Sequence, residues 1–229
     1  MNKIKISKKS PRGILSNKKN GVYNFINANT IWWLKNSEFY YCLMSKNENI
    51  NFIDGRVLSF FVGIKQNRGP TFTKEFLASS VAKNKKHFFI GNVDIKLLSS
   101  KITISEKKLL SYNPPYIGGL EFSIEEMGKI IALLRKFKPN FIWVCVGSPK
   151  QEILANQLFV KFPGTYFSIG AATDFLLGKK KESPIFFQKM GLEWFYRLIT
   201  DFKYSKKKVW RSFIGLGYLL NRKVWLKNE

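Results

Sequence analysis

Histidine, cysteine and acidic residues are scarce in this chain. Its 229 residues include one histidine, two cysteines and 15 aspartates and glutamates, against 39 lysines and arginines. Cys42 and Cys145 lie in apolar stretches, which favours reduced, buried thiols over a disulfide. His87 lies within an apolar run, and no Asp-x-Asp pair occurs to hold a divalent ion. We therefore expect neither a metal centre nor another cofactor.

Long hydrophobic runs are also missing. The run FIWVCV is far shorter than the roughly 18 residues that a membrane-spanning helix needs. No apolar segment of the secretory-signal type follows the basic start of the chain. Apolar residues nevertheless make up 45% of the chain and aromatic residues 16%, which is enough for a packed core. We expect a cytoplasmic protein.

Positive charge is present in large excess, with a formal net charge of +24. Basic proteins of this kind bind polyanions, namely nucleic acid, anionic lipid surfaces or phosphorylated substrates. The charge narrows the class of partner without choosing among these three.

Strand-like and helix-like segments alternate along residues 21–200. The segments VYNFIN, NINFID, KKHFFIGN, NFIWVCVG and TYFSIG have the length of strands. The continuous apolar run in NFIWVCVG is typical of a central parallel strand that is buried on both faces. This order predicts an α/β fold with a Rossmann-like, mostly parallel sheet flanked by helices. The Pro- and Gly-rich segment 109–122 is expected to be a loop.

Composition divides the chain into three parts. Residues 1–20 are basic, contain no acidic residue and are expected to form a flexible arm. Residues 21–200 are expected to form the α/β domain. Residues 201–229 combine basic and aromatic residues and are expected to form an amphipathic appendage outside the sheet.

The segment VCVGSPKQEILANQ, residues 144–157, joins a predicted strand to a helix at the sheet edge where open α/β folds bind ligands. Ser148 suits the N-cap, Pro149 the first helical position and Gln151 the third position of a capping box. The free amides of such a first turn and the helix dipole favour an anion. A good helix start without a ligand is the alternative, and the segment alone does not decide between the two.

Two further motifs follow in order, GAATDFLLG at 170–178 and GLEWFYRL at 191–198. Together the three motifs resemble the WecG/TagA/CpsF group of bacterial glycosyltransferases, glycosyltransferase family 26. The resemblance runs from about residue 23 to residue 197 and is weaker in the first half. The matching positions are Gly147, Pro149, Gln151, Glu152, Gly170, Asp174, Phe175, Gly178, Gly191, Leu192, Glu193, Trp194, Arg197 and Leu198.

The resemblance implies a fold of the type called GT-E and an inverting transfer that needs no metal. A sugar would move from a UDP-sugar to a polyprenyl-diphosphate-linked saccharide in cell-surface polysaccharide biosynthesis. Asp54, in FIDGR at a strand end, would be the general base. The positions implied in donor or nucleotide binding are Asn27, Gly147, Ser148, Pro149, Gln151, Glu152 and Asp174. The positions implied in phosphate or acceptor binding are Arg68, Arg197, Lys207 and Arg211.

Several of these residues also have a purely structural interpretation. Asp54 fits an Asp-Gly turn, Gln151 fits a capping box and Asp174 fits a turn cap. Arg197 lies four residues after Glu193, which is the spacing of a surface ion pair on a helix.

The chain departs from the family pattern at two places. Thr73 stands where the family has an aspartate after Arg68, and Phe202 and Tyr204 replace a proline and an arginine. The residues 201–229 suit a helix that closes the site or lies on the anionic inner face of the cell membrane. A charged end that packs on the core is the alternative. The resemblance also favours a homo-oligomer.

Two other functions fit parts of the sequence. A nucleic-acid-binding protein would fit the charge and the aromatic residues, and its binding would weaken steeply with salt. The resemblance argues against nucleic acid as a partner. An inactive relative that scaffolds a glycan-synthesis complex would fit the altered positions, and product formation would exclude it.

Overall fold

A parallel β-sheet forms the centre of the computed structural model, which describes residues 4–15, 20–200, 202–220 and 226–228. Eight strands lie within these residues, and their pairings are parallel. The strands are β1 Ile4–Ile6, β2 Gly21–Ile26, β3 Asn49–Ile53, β4 His87–Ile90, β5 Leu109–Tyr112, β6 Phe141–Val144, β7 Thr165–Ser168 and β8 Leu226–Asn228. Their order across the sheet is β5-β4-β6-β7-β2-β3-β1-β8.

Helices join the strands and cover the sheet. They are α1 Pro11–Leu15, α2 Ala28–Asn36, α3 Glu38–Met44, α4 Arg56–Val62, α5 Gly69–Leu77, α6 Ser80–Lys83, α7 Ile95–Lys101, α8 Ile124–Phe137, α9 Lys150–Lys161, α10 Ala172–Leu176, α11 Ile185–Met190, α12 Glu193–Thr200 and α13 Phe202–Leu220. The predicted α/β architecture with a Rossmann-like sheet is confirmed. In the described part of the chain, no helix has the length and apolar character that crossing a membrane requires.

The strands send alternate side chains to the two faces of the sheet. Trp143 of β6 and Phe167 of β7 lie 4.5 Å apart, measured between ring centroids, in an aromatic cluster that includes Phe76 of α5. The next residue, Val144, belongs to the other face and packs in a cluster with Leu154 of α9. Burial on both faces explains why these strands read as continuous apolar runs.

The predicted N-terminal arm is wrong for the part that is described. Ile4 and Ile6 are fully buried, and their strand β1 lies between β3 and β8. The alternation of isoleucine with lysine supplies one buried face and one exposed face, which is what a strand near a sheet edge needs. Pro11–Leu15 of the arm form α1, and residues 1–3 and 16–19 lie outside the described residues.

The C-terminal segment is more closely joined to the domain than predicted. Helix α13 packs along α2, and its Leu216 and Leu219 lie against the core cluster that contains Ile31 of α2. Strand β8 pairs with β1, so part of the predicted appendage belongs to the sheet. The alternative of a charged end that packs on the core therefore describes α13 in this conformation.

Two local predictions are also wrong. Residues 109–112 form the edge strand β5, and only the remainder of the segment 109–122 is without regular structure. The apolar periodicity of residues 31–44 predicts one helix, but Ser37 has extended backbone angles and ends α2 within that segment. The Ser37 hydroxyl then accepts a hydrogen bond from the Tyr40 amide at 3.2 Å and begins α3. A serine that can cap a helix outweighs the continuous apolar periodicity.

The connections place a crevice at the carboxyl ends of β4 and β6. Strand β4 is followed by β5 on one side, whereas β6 is followed by β7 on the other side. The loops that leave β4 and β6 therefore diverge, and such a switch point is where open α/β sheets bind ligands.

Candidate functional site

A cleft of about 310 Å³ lies at this switch point. Strand β4 contributes Asn92 to it and β6 contributes Cys145, each from the loop that follows the strand. The lining residues are Asn92, Cys145, Thr173, Asp174, Lys179 and Lys180. The sequence analysis predicted a ligand-binding role for Asp174 but not for Asn92. The signal for Asn92 is its position directly after Ile-Gly at the end of a strand.

Charged groups at the rim of the cleft contact one another. The Lys180 ammonium lies 3.4 Å from the Asp174 carboxylate, and Lys179 donates a hydrogen bond to the Asn92 carbonyl at 3.3 Å. Two lysines beside one aspartate leave this rim positive. The arrangement suits a ligand that combines an anionic part with hydrogen-bonding groups.

The cysteines are free thiols, as predicted, but Cys145 is only partly buried. Cys42 is exposed on α3, contrary to the prediction. Burial raises the pKa of the Cys145 thiol to about 12, and a hydrogen bond with Thr173 opposes this effect. Cys145 therefore lines the cleft as a neutral thiol and is a poor nucleophile.

The turn between β6 and α9 differs from the predicted capping box. Helix α9 begins at Lys150 with Pro149 as its N-cap, and no side chain of the described residues caps it. The Ser148–Pro149 peptide is cis, and Gly147 has a left-handed φ of +87°. The Gly147 carbonyl accepts the Gln151 amide at 3.0 Å. The turn is therefore closed by the backbone, which the sequence pattern did not reveal.

The Gln151 side chain points into the protein. Its Nε2 donates to Glu152 Oε1 at 2.8 Å and to the Ser168 carbonyl at 3.2 Å. Gly170 allows this position, because a Cβ there would lie only 3.0 Å from Gln151 Oε1. Gln151, in the motif at 144–157, therefore contacts Gly170 at the start of the motif at 170–178. In this conformation its side chain is buried.

Glu152 is completely enclosed, with 1% of its surface exposed. Burial raises the pKa of its carboxyl group, and hydrogen bonding by Gln151, the backbone, Ser148 and Tyr40 opposes the rise. The Ser148 and Tyr40 hydroxyls lie close enough to act on Glu152, although neither forms a hydrogen bond of normal geometry within the described residues. A donor molecule outside the protein has no direct access to Glu152.

Asp54 lies at the carboxyl end of β3, beside the end of β2. Its amide donates to the Ile26 carbonyl at 2.6 Å, and its side chain is half-buried. A Cβ on Gly69 would lie 3.9 Å from Asp54 Oδ2, so the carboxylate borders the first turn of α5. Gly55, with φ of +102°, then turns the chain into α4. The Asp54 carboxylate is therefore partly accessible at the carboxyl edge of the sheet.

Asn27 follows β2 and caps α2. Its Oδ1 accepts the Thr30 amide at 3.1 Å, and Thr30 Oγ1 accepts the Asn27 amide at 3.3 Å. This capping box fixes the turn that lies next to Asp54. Asn27 therefore has a structural task, and any donor contact would use the rest of its amide group.

Arg68 makes contacts that the sequence did not predict. Its guanidinium donates to Gln188 at 2.7 Å and lies 3.2 Å from Glu193 and 3.4 Å from Glu182. A surface pair between Glu193 and Arg197 was the structural alternative in the sequence analysis. The contacts tie the start of α5 to α11 and α12, so in this conformation the charge of Arg68 is offset by two carboxylates.

The other predicted cations lie on or near α13. Arg197 falls in α12, and its side chain lies outside the described residues. Lys207 is exposed. The Arg211 guanidinium lies 4.3 Å above the Trp32 ring and 4.8 Å from the Trp33 ring, as in a cation–π contact. Arg211 therefore stabilises the packing of α13 on α2 in this conformation.

Groups of three or more His, Cys, Asp or Glu side chains that can hold a metal do not occur among the described residues. The candidate site has three parts, which are Asp54 at the end of β3, the turn at 147–151 and the lysine-rimmed cleft. All three lie at the carboxyl ends of parallel strands.

Comparison with known proteins gives this arrangement a family. The model of the family described as glycosyl transferase WecG/TagA/CpsF matches residues 9–229. An N-acetylglucosaminyldiphosphoundecaprenol N-acetyl-beta-D-mannosaminyltransferase of Staphylococcus aureus strain NCTC 8325 / PS 47 is 33% identical over 75 residues, which are 32% of this chain and 30% of that protein. Proteins of the same name from strains COL and N315 match to the same extent. The alignments therefore span less than a third of the length of these relatives.

Proposed function

The chain belongs to the glycosyl transferase WecG/TagA/CpsF family, and on this premise we propose that it moves a sugar from a UDP-sugar to a polyprenyl-diphosphate-linked saccharide, with inversion. The product would serve cell-surface polysaccharide biosynthesis. The relatives named above are N-acetylmannosaminyltransferases whose acceptor is N-acetylglucosaminyldiphosphoundecaprenol. UDP-N-acetylmannosamine is accordingly the first donor to test.

The observation that carries this proposal is the position of Asp54 at the same sheet edge as the cleft. An inverting transfer needs a carboxylate that takes the proton of the acceptor hydroxyl while that oxygen attacks the anomeric carbon. It also needs positive charge and amide donors for the departing UDP. Lys179, Lys180 and the turn at 147–151 supply such groups, and Asn92 and Asp174 offer hydrogen bonds to the nucleoside.

In this proposal lysine side chains and backbone amides, and not a metal ion, stabilise the charge on the departing UDP. The reaction is therefore expected to proceed in the presence of EDTA. The second cleft, of about 250 Å³, is lined by Lys74 and Lys101 and by Glu182, a partner of Arg68. We assign it to the acceptor diphosphate, where Arg197 and Lys207 add charge when the C-terminal helices close over the site. Arg68 becomes available to phosphate only if Glu182 and Glu193 move away.

The test is transfer to a short-chain polyprenyl-diphosphate-linked N-acetylhexosamine, with a panel of UDP-sugars and EDTA. Replacement of Asp54 by Asn removes the base without changing the shape, so we expect the turnover to fall about 10²- to 10⁴-fold while UDP binding persists. The control is Glu75→Gln, which removes an exposed carboxylate that pairs with Arg12 at 2.9 Å. Full activity of Asp54→Asn would exclude Asp54 as the base, and no product with any donor would favour a scaffold.

Association with the anionic inner face of the membrane is the second part of the proposal. Helices α4, α11, α12 and α13 contact one another in series. They expose large apolar side chains, and α13 adds three exposed lysines. We name this the apolar–basic surface, formed by Phe60, Phe61, Ile185, Phe186, Met190, Trp210, Lys206, Lys207 and Lys208. Aromatic side chains beside lysines fit the interface of an anionic bilayer.

A further inference from the structure

A group of buried polar side chains lies directly beneath the turn at 147–151. Tyr40 comes from α3, Ser148 from the turn, Gln151 and Glu152 from α9, and Ser168 from the end of β7. We name these five residues the buried polar cluster. Tyr40 and Ser168 are fully buried, and Gln151 and Glu152 are exposed by 5% and 1%.

The cluster has more polar atoms than partners. Across the described residues, Tyr40 Oη, Ser148 Oγ, Gln151 Oε1, Glu152 Oε2 and Ser168 Oγ are buried without a hydrogen-bond partner. Folded proteins leave few such atoms, and a concentration of them in one place needs an explanation. Three of the five are hydroxyl groups, which both donate and accept, and one is a carboxyl oxygen whose role depends on its proton.

The surroundings of Glu152 contain no balancing cation among the described groups that act on it. Helix α3 presents Tyr40 and β7 presents Ser168. The polar contact of β2 with α9 runs from Asn24 through Asn49 of β3 to Asn156, and these are neutral amides. Lys150, two residues before Glu152, turns away, since its ammonium donates to the Ile117 carbonyl and lies 4.9 Å from the Tyr116 ring centroid. On α8, Glu126 is engaged by Tyr112 and Lys129.

Two effects oppose each other at this position. The amino end of α9 favours a negative charge, but this effect is small beside the cost of taking an unpaired carboxylate out of water. An ionised Glu152 would also lie beneath the turn that, under the proposed function, receives a diphosphate. Its charge would cancel that of the helix end and repel the donor.

We propose that Glu152 is a neutral carboxylic acid in the folded protein and is a positioning residue, which holds Gln151 and the turn at 147–150 in the form that binds the donor diphosphate. The role in donor binding rests on the proposed function, whereas the neutral state does not. As an acid, Glu152 accepts from Gln151 through Oε1 and donates through Oε2 to a hydroxyl of the cluster. The direction of its pKa shift, upward through burial, agrees with this.

The protonation state is tested by infrared spectroscopy on protein with isotope-labelled glutamate. At pH 7 we expect a protonated-carboxyl band that shifts with the label and disappears in Glu152→Gln. The control is Glu126→Gln. Glu126 is also buried, but the Lys129 ammonium lies 3.5 Å from its carboxylate, and we expect its replacement to leave the band in place. The wild-type spectrum alone suffices if the variant does not fold, because absence of the band at pH 7 overturns the proposal.

The positioning role is tested by the donor KM as a function of pH. Glu152→Gln keeps a neutral group that hydrogen-bonds, so its donor KM at pH 7 stays well below that of Glu152→Ala, which rises about tenfold. In the wild type the donor KM rises at alkaline pH as Glu152 ionises, and in Glu152→Gln this rise is lost. Equal pH profiles for the two proteins would overturn the positioning role. An absence of all transfer activity would instead count against the proposed function and leave the infrared result standing.

Discussion

At the scale of single residues, burial decides how His87 behaves. Its ring is fully buried, its Nδ1 lies 3.1 Å from Trp143 Nε1 and its Nε2 lies 3.0 Å from the Ala82 carbonyl. Because the indole N–H can only donate, Nδ1 accepts and Nε2 carries the proton of a neutral ring. Desolvation lowers the pKa of His87 from 6.5 to about 4, against a smaller opposing effect of the Ala82 carbonyl.

This lowered pKa predicts a loss of stability in acid. Between pH 6.5 and about 4 the unfolded chain binds the proton and the folded chain does not, so stability falls as the pH falls through this window. The shift corresponds to a loss on the order of 3 kcal/mol. Urea unfolding at pH 7 and pH 4.5 measures it, with His87→Gln as the non-titrating comparison. An equal loss in both proteins would contradict the assignment to His87.

Ionisation of Glu152 changes the stability in the opposite direction, over a pH range that overlaps the window of His87. Its folded pKa lies above the ordinary value of 4.5, so its contribution is complete below that pH and declines as the pH rises. The two groups therefore partly cancel in the wild type. Each contribution is read from the difference between the wild type and the matching glutamine variant.

At the scale of elements, the contact between α13 and α2 depends on one glycine. A Cβ at Gly215 would lie 2.1 Å from the Ala28 carbonyl oxygen and 3.1 Å from the Trp32 amide. Arg211, one turn earlier, lies over the Trp32 and Trp33 rings. Because α2 begins at the Asn27 cap, this packing connects the C-terminal helix to the edge that carries Asp54.

Alanine substitutions at the two glycines of α13 are expected to change the free energy of unfolding in opposite directions. Gly215→Ala forces the helices apart and destabilises the protein by about 1–3 kcal/mol. Gly217→Ala meets no atom within 4 Å and stabilises the helix by roughly 0.5–1 kcal/mol. Urea unfolding of both variants measures the difference. Equal stabilities would show that α13 does not pack on α2 in solution.

At the scale of the whole molecule, exposed basic and large apolar side chains occur together on neighbouring helices. Phe60 is 84% exposed on α4, and Trp210 is 68% exposed on α13, beside the lysines 206–208. The net charge of +24 is spread over the chain, but the described helices α4 and α11–α13 combine it with large apolar side chains. The apolar–basic surface is therefore the part that we expect to meet the bilayer.

Replacement of Lys206, Lys207 and Lys208 by Gln is expected to weaken binding to anionic vesicles about 100-fold, since each basic residue near the surface contributes about 1 kcal/mol. The control replaces the exposed Lys83, Lys107 and Lys136 by Gln, with the same change in net charge. Co-sedimentation with phosphatidylserine-containing and purely zwitterionic vesicles measures the effect. Equal weakening by both triple variants would indicate attraction by net charge alone.

The amino-acid sequence by itself determined the layered α/β architecture. Runs such as FIWV and HFFI need burial on both faces, and parallel strands with intervening helices provide it. Parallel strands end together, and Asn27, Asp54 and the turn at 147–151 each follow such a strand, so they lie at the same edge of the sheet. These conclusions depend on local pattern and on chain order, which a sequence contains.

Only the tertiary structure decided which partners the polar groups take. Gln151 and Glu152 read as groups at an open helix start, yet the packing of α3 and β7 encloses them. Arg68 and Arg211 read as phosphate ligands, yet folding brings carboxylates to one and tryptophan rings to the other. Contacts between residues more than 100 positions apart depend on how elements pack, and burial then determines which groups stay neutral and which reach a ligand.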